Sequence, residues 1–121
     1  MAATGFIVTI GSESPERLRE FYADVVALTP LFDFTPGAFS VANSSVPVLI
    51  IEEHDEVKGT AREPERMLLN FLVDDMAAEE ARLAGQGVEF VRAPYEEPGV
   101  GLFATFADLD GNLCQLIQLY S

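Results

Sequence analysis

Phe106-Ala107-Asp108-Leu109-Asp110-Gly111-Asn112-Leu113-Cys114-Gln115-Leu116 is the stretch on which the fold turns. An apolar run ends at Asp108, Asp110-Gly111 supplies a turn signal, and a second apolar run opens at Leu113. The pattern predicts two antiparallel strands, residues 102–107 and 113–120, joined by a tight hairpin. Upstream, residues 67–73 read as a strand, and Asp74-Asp75 offers N-cap carboxylates for a helix. Glu79 and Glu80 place favourable charge near its N-terminus. Met76, Ala81, Leu83 and Ala84 form its apolar stripe, and Gly87 suits the left-handed residue that stops it. Residues 89–92 read as one more strand, so this half runs strand, helix, three strands.

The first half repeats that grammar. Residues 6–10 are β-branched and apolar, and Ser14-Pro15 opens a helix with a hydroxyl N-cap followed by proline at a position that needs no N–H. Leu18, Phe21, Tyr22, Val25 and Val26 carry its buried stripe to about Ala27. Strands are expected over residues 29–34, 39–42 and 46–52, separated by Pro36-Gly37 and Asn43-Ser44-Ser45 turns. The polar stretch 54–65, with Gly59 and Pro64, reads as a linker between repeat one (4–53) and repeat two (66–120) of a single domain spanning 1–121. Gly5 then superposes on Leu68 and Ile50 on Gln115. The expected class is α+β, two βαβββ repeats whose mixed sheets form a half-open cup around a ligand site.

Composition narrows the function. At 49% hydrophobic the 121 residues can bury a proper core. Neither a membrane span nor a secretory signal is expected, which points to a cytoplasmic protein. Cys114 is the only cysteine, so no internal disulfide forms; within its apolar strand it reads as core. Twenty acidic residues against 7 Lys and Arg give a formal charge of −13, which disfavours nucleic acid and anionic membrane as partners and favours cations.

The duplicated element order, the helix segment Phe21-Tyr22-Ala23-Asp24-Val25 and the hairpin Asp108-Leu109-Asp110-Gly111-Asn112 resemble the vicinal-oxygen-chelate superfamily of glyoxalase, bleomycin-resistance and extradiol dioxygenase proteins. Leu109 stands where the family's hairpin usually has proline. In metal-using members the resemblance implies ligands on the first and last strand of each half. Gly5, Ile50, Leu68 and Gln115 occupy those positions here, and none supplies a carboxylate or an imidazole. The metal-free branch is similar to bleomycin-resistance proteins, which sequester a bulky cationic drug in the grooves of a dimer.

Strand alternation then populates the cup. Gly5, Ile7 and Thr9 share a face, as do Leu68, Asn70 and Leu72, while Val48, Ile50 and Glu52 line up on one closing strand and Leu113, Gln115 and Ile117 on the other. The expected ligand-binding residues are Asn70, Gln115, Glu52, Ile50, Leu68, Phe39 and Phe103, with Asn70 and Gln115 fixing polar groups through their amides. Phe32, Phe34, Tyr95 and Phe106 are further aromatic candidates for walls, with core packing as their alternative. No catalytic residue, metal ligand or cofactor is assigned.

The same residues admit other chemistries. His54, the only histidine, sits with Glu52, Glu53, Asp55 and Glu56 in a mixed cluster able in principle to hold zinc, nickel, manganese or iron, although consecutive strand-end residues point apart. That arrangement is the basis of the alternative, a divalent-metal lyase, thiol transferase or dioxygenase. The loop 108–112 lacks the bidentate carboxylate of a calcium loop, and neither a nucleophile elbow nor a phosphate-cradling glycine loop occurs. The expected function is metal-free sequestration of a cationic, antibiotic-like small molecule by a homodimer. A third reading, docking of another protein on open sheet edges, predicts no small ligand.

Overall fold

The computed structural model describes residues 2–31 and 37–121. The expected aromatics Phe32 and Phe34, and residues 32–34 of the strand expected over 29–34, lie outside the described residues. The chain divides into two compact units, Met1–Gly59 and Thr60–Ser121, and the division falls inside the expected linker. Each unit is built on an open four-stranded mixed sheet, as the repeat pattern predicted.

In the first unit the elements are β1 (Val8–Ser12), α1 (Pro15–Glu20), β2 (Thr29–Pro30), β3 (Ala38–Ser40) and β4 (Leu49–Glu53), and the sheet order is β1-β4-β3-β2. β1 lies parallel to β4 with Val8 opposite Leu49 and Thr9 opposite Ile50; β3 is antiparallel to β4. β1 therefore sits two residues later than the apolar run 6–10 suggested, because its bounds are set by pairing with β4 rather than by its own hydropathy. Phe6 and Ile7 are left exposed.

The helix begins at Pro15 as expected, but Ser14 makes no side-chain cap bond. The Ser12 hydroxyl accepts from the Ser14 N–H instead, at 3.0 Å. After Glu20 the helix widens over Phe21–Val25, where the Val26 N–H reaches the Phe21 carbonyl, and it ends at Ala27, whose φ is +68°. That wider turn carries Tyr22 into the fully buried core, where its ring meets Phe39 at 6.5 Å.

In the second unit β5 (Leu68–Leu72) is followed by α2 (Met76–Gly85), β6 (Phe90–Glu97), β7 (Gly101–Ala107) and β8 (Leu113–Leu119), in sheet order β5-β8-β7-β6. β5 is parallel to β8, and β7 is antiparallel to both of its neighbours. α2 is capped as predicted: the Asp75 carboxylate accepts from the Ala78 N–H at 3.1 Å. The Gln118 side-chain oxygen accepts from the Met76 N–H at 2.6 Å, which ties β8 to the helix start. Asp75→Ala is expected to lower unfolding free energy by about 1 kcal/mol, read as a lower urea midpoint at unchanged m-value; an unchanged midpoint would show that Gln118 alone holds this end.

β6 runs five residues past the expected stop at Arg92. Pro94 looks like a strand breaker in sequence, but β6 is an edge strand and register shifts on either side of Arg92 accommodate it. The hairpin from Asp108 to Asn112 closes β7 onto β8. The Asp108 carboxylate accepts from the Asp110 and Asn112 N–H groups and from the Asn112 side-chain amide, at 2.8, 2.9 and 2.9 Å, and Gly111 takes the left-handed φ of +82°. Tyr120 donates its hydroxyl to Glu96, and that bond to a carboxylate raises the phenol's pKa above the ordinary tyrosine value. Among the described residues no helix is long and apolar enough to cross a membrane.

Candidate functional site

Pairing assigns every strand residue to one of two faces, since partners across a ladder point the same way. In the second unit Cys114, Leu116, Ala104 and Phe106 are buried on the face shared with α2. The opposite face is organised in rows running across the sheet. Asn70 on β5 is opposite Gln115 on β8, Gln115 is opposite Thr105 on β7, and Thr105 is opposite Arg92 on β6. Four strands at roughly 4.8 Å spacing make this a polar row about 14 Å long. One residue pair further on, Leu72, Ile117, Phe103 and Tyr95 form an apolar and aromatic row, and on the other side lie Leu68, Leu113 and Ala107.

The row's polar groups are available. Along β5 exposure alternates, with Leu68, Asn70 and Leu72 exposed and Leu69 and Phe71 half-buried. Among the described residues the side chains of Asn70, Gln115 and Arg92 make no hydrogen bond or ion pair within the chain. Arg19, Arg66 and Arg82 are each paired with a glutamate three residues away, while Arg17 and Arg62, like Arg92, make no ion pair among the described residues. Arg92 is held by an aromatic instead: its guanidinium carbon lies 3.5 Å from the Tyr95 ring centroid, and Tyr95 stacks on Phe103 at 5.9 Å with 27° between planes. Unpaired amide donors and acceptors beside a guanidinium and two stacked rings suit recognition of a ligand that is both polar and flat.

In the first unit the face away from α1 carries Thr9 and Gly11 on β1, Ile50 and Glu52 on β4, and Ala38 on β3. Ile50 and Glu52 thus share a face, as alternation predicted, with Glu52 exposed. Phe39 is placed differently. It is opposite Leu49 on the helix side, 2% exposed and packed on Tyr22, so it belongs to the core and not to the face that holds Ile50. Phe106 is likewise core, fully buried and edge-on to Phe90. Phe103 and Tyr95 lie on the face of their sheet opposite Phe106, in line with Ile117.

The equivalence between the halves also shifts. Pro15 and Met76 open the two helices, and Thr9 opposite Ile50 corresponds to Asn70 opposite Gln115. Counting back from these places Ile7, not Gly5, against Leu68; Gly5 precedes β1 and is exposed, with open space around it. The four positions where the family resemblance puts metal ligands therefore hold Ile7, Ile50, Leu68 and Gln115. Three aliphatic side chains and one amide leave at most one side-chain donor among the four positions, too few to hold a divalent cation.

Nor does the His54 cluster converge. His54 packs against Gly11, where an added Cβ would lie 2.9 Å from the His54 Cβ, and its Nδ1 accepts from the Glu56 N–H at 3.2 Å. Glu52 and Glu53 are adjacent on β4 and face opposite ways, and Asp55 is fully exposed. Among the described residues no three His, Cys, Asp or Glu side chains are placed to hold a metal ion.

Arg92 and Thr105 join the candidate row, and sequence reasoning did not single them out. Their signal is the ladder alone, since only the register of β6 on β7 and β7 on β8 brings them into line with Gln115.

The arrangement has relatives of known structure. TnmS3, an antibiotic binding protein from Streptomyces sp. CB03234, superposes with a TM-score of 0.77 at 24% identity over 99% of each chain. A glyoxalase/bleomycin resistance protein from the same strain gives 0.70 at 23% identity, covering 95% of this chain and 100% of that one. The genomically encoded fosfomycin resistance protein FosX from Listeria monocytogenes gives 0.73 at 16% identity over 99% of this chain and 96% of its own. These likenesses establish the fold. No curated protein matches the sequence significantly. The sequence profile of the Glyoxalase/Bleomycin resistance protein/Dioxygenase superfamily, however, matches residues 7–116, nearly the whole of both repeats. By that match and by its paired strand-helix-strand units, the chain belongs to the glyoxalase/bleomycin resistance protein/dioxygenase superfamily.

Proposed function

We propose that this chain is a metal-free small-molecule-binding protein that sequesters an antibiotic-like ligand and acts without a cofactor, as a homodimer. The observation that carries the reading is the unpaired polar row Asn70, Gln115, Thr105 and Arg92 on the face away from α2. Sequestration requires affinity and no reacting group, and this face offers hydrogen-bonding groups without a nucleophile or a general base. The aliphatic residues at the expected ligand positions support the same conclusion. The acidity of the whole chain favours a cationic ligand during approach, but the row itself carries one guanidinium and no carboxylate.

The reading is tested by native mass spectrometry with and without zinc, nickel, manganese and ferrous iron, followed by a thermal-shift screen of antibiotics. The expected result is a metal-free dimer whose Tm rises with one ligand class, by an amount that grows with ligand concentration. For that ligand, Asn70→Ala combined with Gln115→Ala is expected to weaken binding at least tenfold while leaving the unliganded Tm within a degree or two. Stoichiometric metal lost on His54→Ala would overturn the reading in favour of a metal-dependent lyase, thiol transferase or dioxygenase.

A further inference from the structure

We infer that Arg92 sets the specificity of this face, selecting a flat aromatic ligand that presents anionic or carbonyl oxygens rather than a cation. The inference rests on the reading that the face binds a small molecule, and it adds the ligand's chemical class.

Among the described residues Arg17, Arg62 and Arg92 make no ion pair, and what marks Arg92 is its place: its guanidinium lies over the Tyr95 ring on the face that carries the polar row. Arg92 is exposed and makes no ion pair among the described residues, although its own strand continues into Glu96 and Glu97. The register explains how those carboxylates are kept away. Glu96 is opposite Leu102, on the α2 side of the sheet, and is engaged by the Tyr120 hydroxyl. Glu97 is opposite Gly101, beyond the row that holds Tyr95 and Phe103. The neighbours of Arg92 on its own face are Thr105, which is 8% exposed, and the Tyr95 ring.

A guanidinium lying over an aromatic ring keeps its N–H edge for an acceptor, because the contact with the ring uses its face. Gln115 and Asn70 continue the hydrogen-bonding groups along the same row. The stacked pair Tyr95 and Phe103, with Ile117 and Leu72 beside it, offers apolar surface alongside the donors. A cationic ligand laid on the row would meet the Arg92 charge with no carboxylate on that row to offset it. An acceptor-bearing aromatic would meet a prepositioned donor instead. The net charge acts at long range and is screened over about 8 to 10 Å of salt solution, whereas Arg92 acts at contact.

Three probes of equal ring system separate the possibilities: 9-anthroate, 9-anthraldehyde and 9-anthracenylmethylammonium, titrated by fluorescence anisotropy into the full chain. The expected order is anthroate tightest, then the aldehyde, with the ammonium at least tenfold weaker than anthroate. Arg92→Ala should weaken anthroate at least tenfold and leave the ammonium unchanged or tighter, with Arg92→Lys falling between. Gln115→Leu should weaken the aldehyde. Each variant is checked for an unchanged far-UV spectrum and melting curve, which the exposure of Arg92 leads one to expect. Binding of the ammonium as tightly as anthroate, or indifference of anthroate to Arg92→Ala, would overturn the assignment of specificity while leaving small-molecule binding in place. Failure of all three probes, with a compound of the antibiotic screen still binding, would overturn the ligand class alone; failure of the probes and of the whole screen would remove both.

Discussion

Phe106→Ala is expected to lower the free energy of unfolding by about 4 kcal/mol, among the largest losses any single truncation in this chain will produce. Phe106 is fully buried on the α2 side of the second sheet and meets Phe90 edge-on, with centroids 6.1 Å apart and planes at 87°. Truncation removes the transfer free energy of the ring, forfeits the aromatic contact and leaves a cavity that β7, fixed in the middle of the sheet, cannot collapse to fill. Domains of this size are stable by roughly 5–15 kcal/mol, so the variant will be folded but close to its limit. Urea unfolding followed by circular dichroism reads the change as a shift in midpoint. The informative control is Phe103→Ala, three residues earlier and on the opposite face, where the ring is only half-buried. That substitution should cost less than half as much stability and instead reduce affinity for aromatic ligands. Equal losses for the two variants would contradict the division of the sheet into a core face and an opposite, candidate ligand face.

Asp108→Ala is expected to cost about 3 kcal/mol. The carboxylate is 5% exposed and accepts from three donors within the hairpin it opens. An alanine leaves the Asp110 and Asn112 N–H groups without their partner in a turn that has little room to reorganise around Gly111. Asp108→Asn retains one acceptor oxygen but turns an amide towards the Asn112 amide, and about half of the loss should remain. Hydrogen exchange at the ends of β7 and β8 checks the mechanism, since protection should fall there first. A destabilisation of less than about 1 kcal/mol would mean that the backbone bond from the Asp108 N–H to the Asn112 carbonyl holds the hairpin by itself.

The same hairpin shows what could be read without coordinates. Asp-Gly turns, N-cap carboxylates and helix-stopping glycines work through groups a few residues apart, so Asp75, Gly87 and Gly111 take the places their chemistry predicted. Period-two alternation likewise put Asn70 with Leu68, and Gln115 with Ile117, on one face. Where local reading failed, a distant partner had decided. Ser12 rather than Ser14 engages the turn into α1, and β1 slides two residues along to meet β4. The face of Phe39 depends on its pairing with Leu49, and the stripe of α1 could not show that Tyr22 would come to lie against it.

By itself the sequence determined the duplication, the order of elements and the hairpin, because each is a property of residue type and short-range spacing. The tertiary structure alone decided that Arg92 and Thr105 complete the row begun by Asn70 and Gln115. Two register shifts in β6 break the alternation that sequence reasoning relies on, so the face on which Arg92 emerges is fixed by its pairing with Thr105 and by the Tyr95 ring beneath its guanidinium.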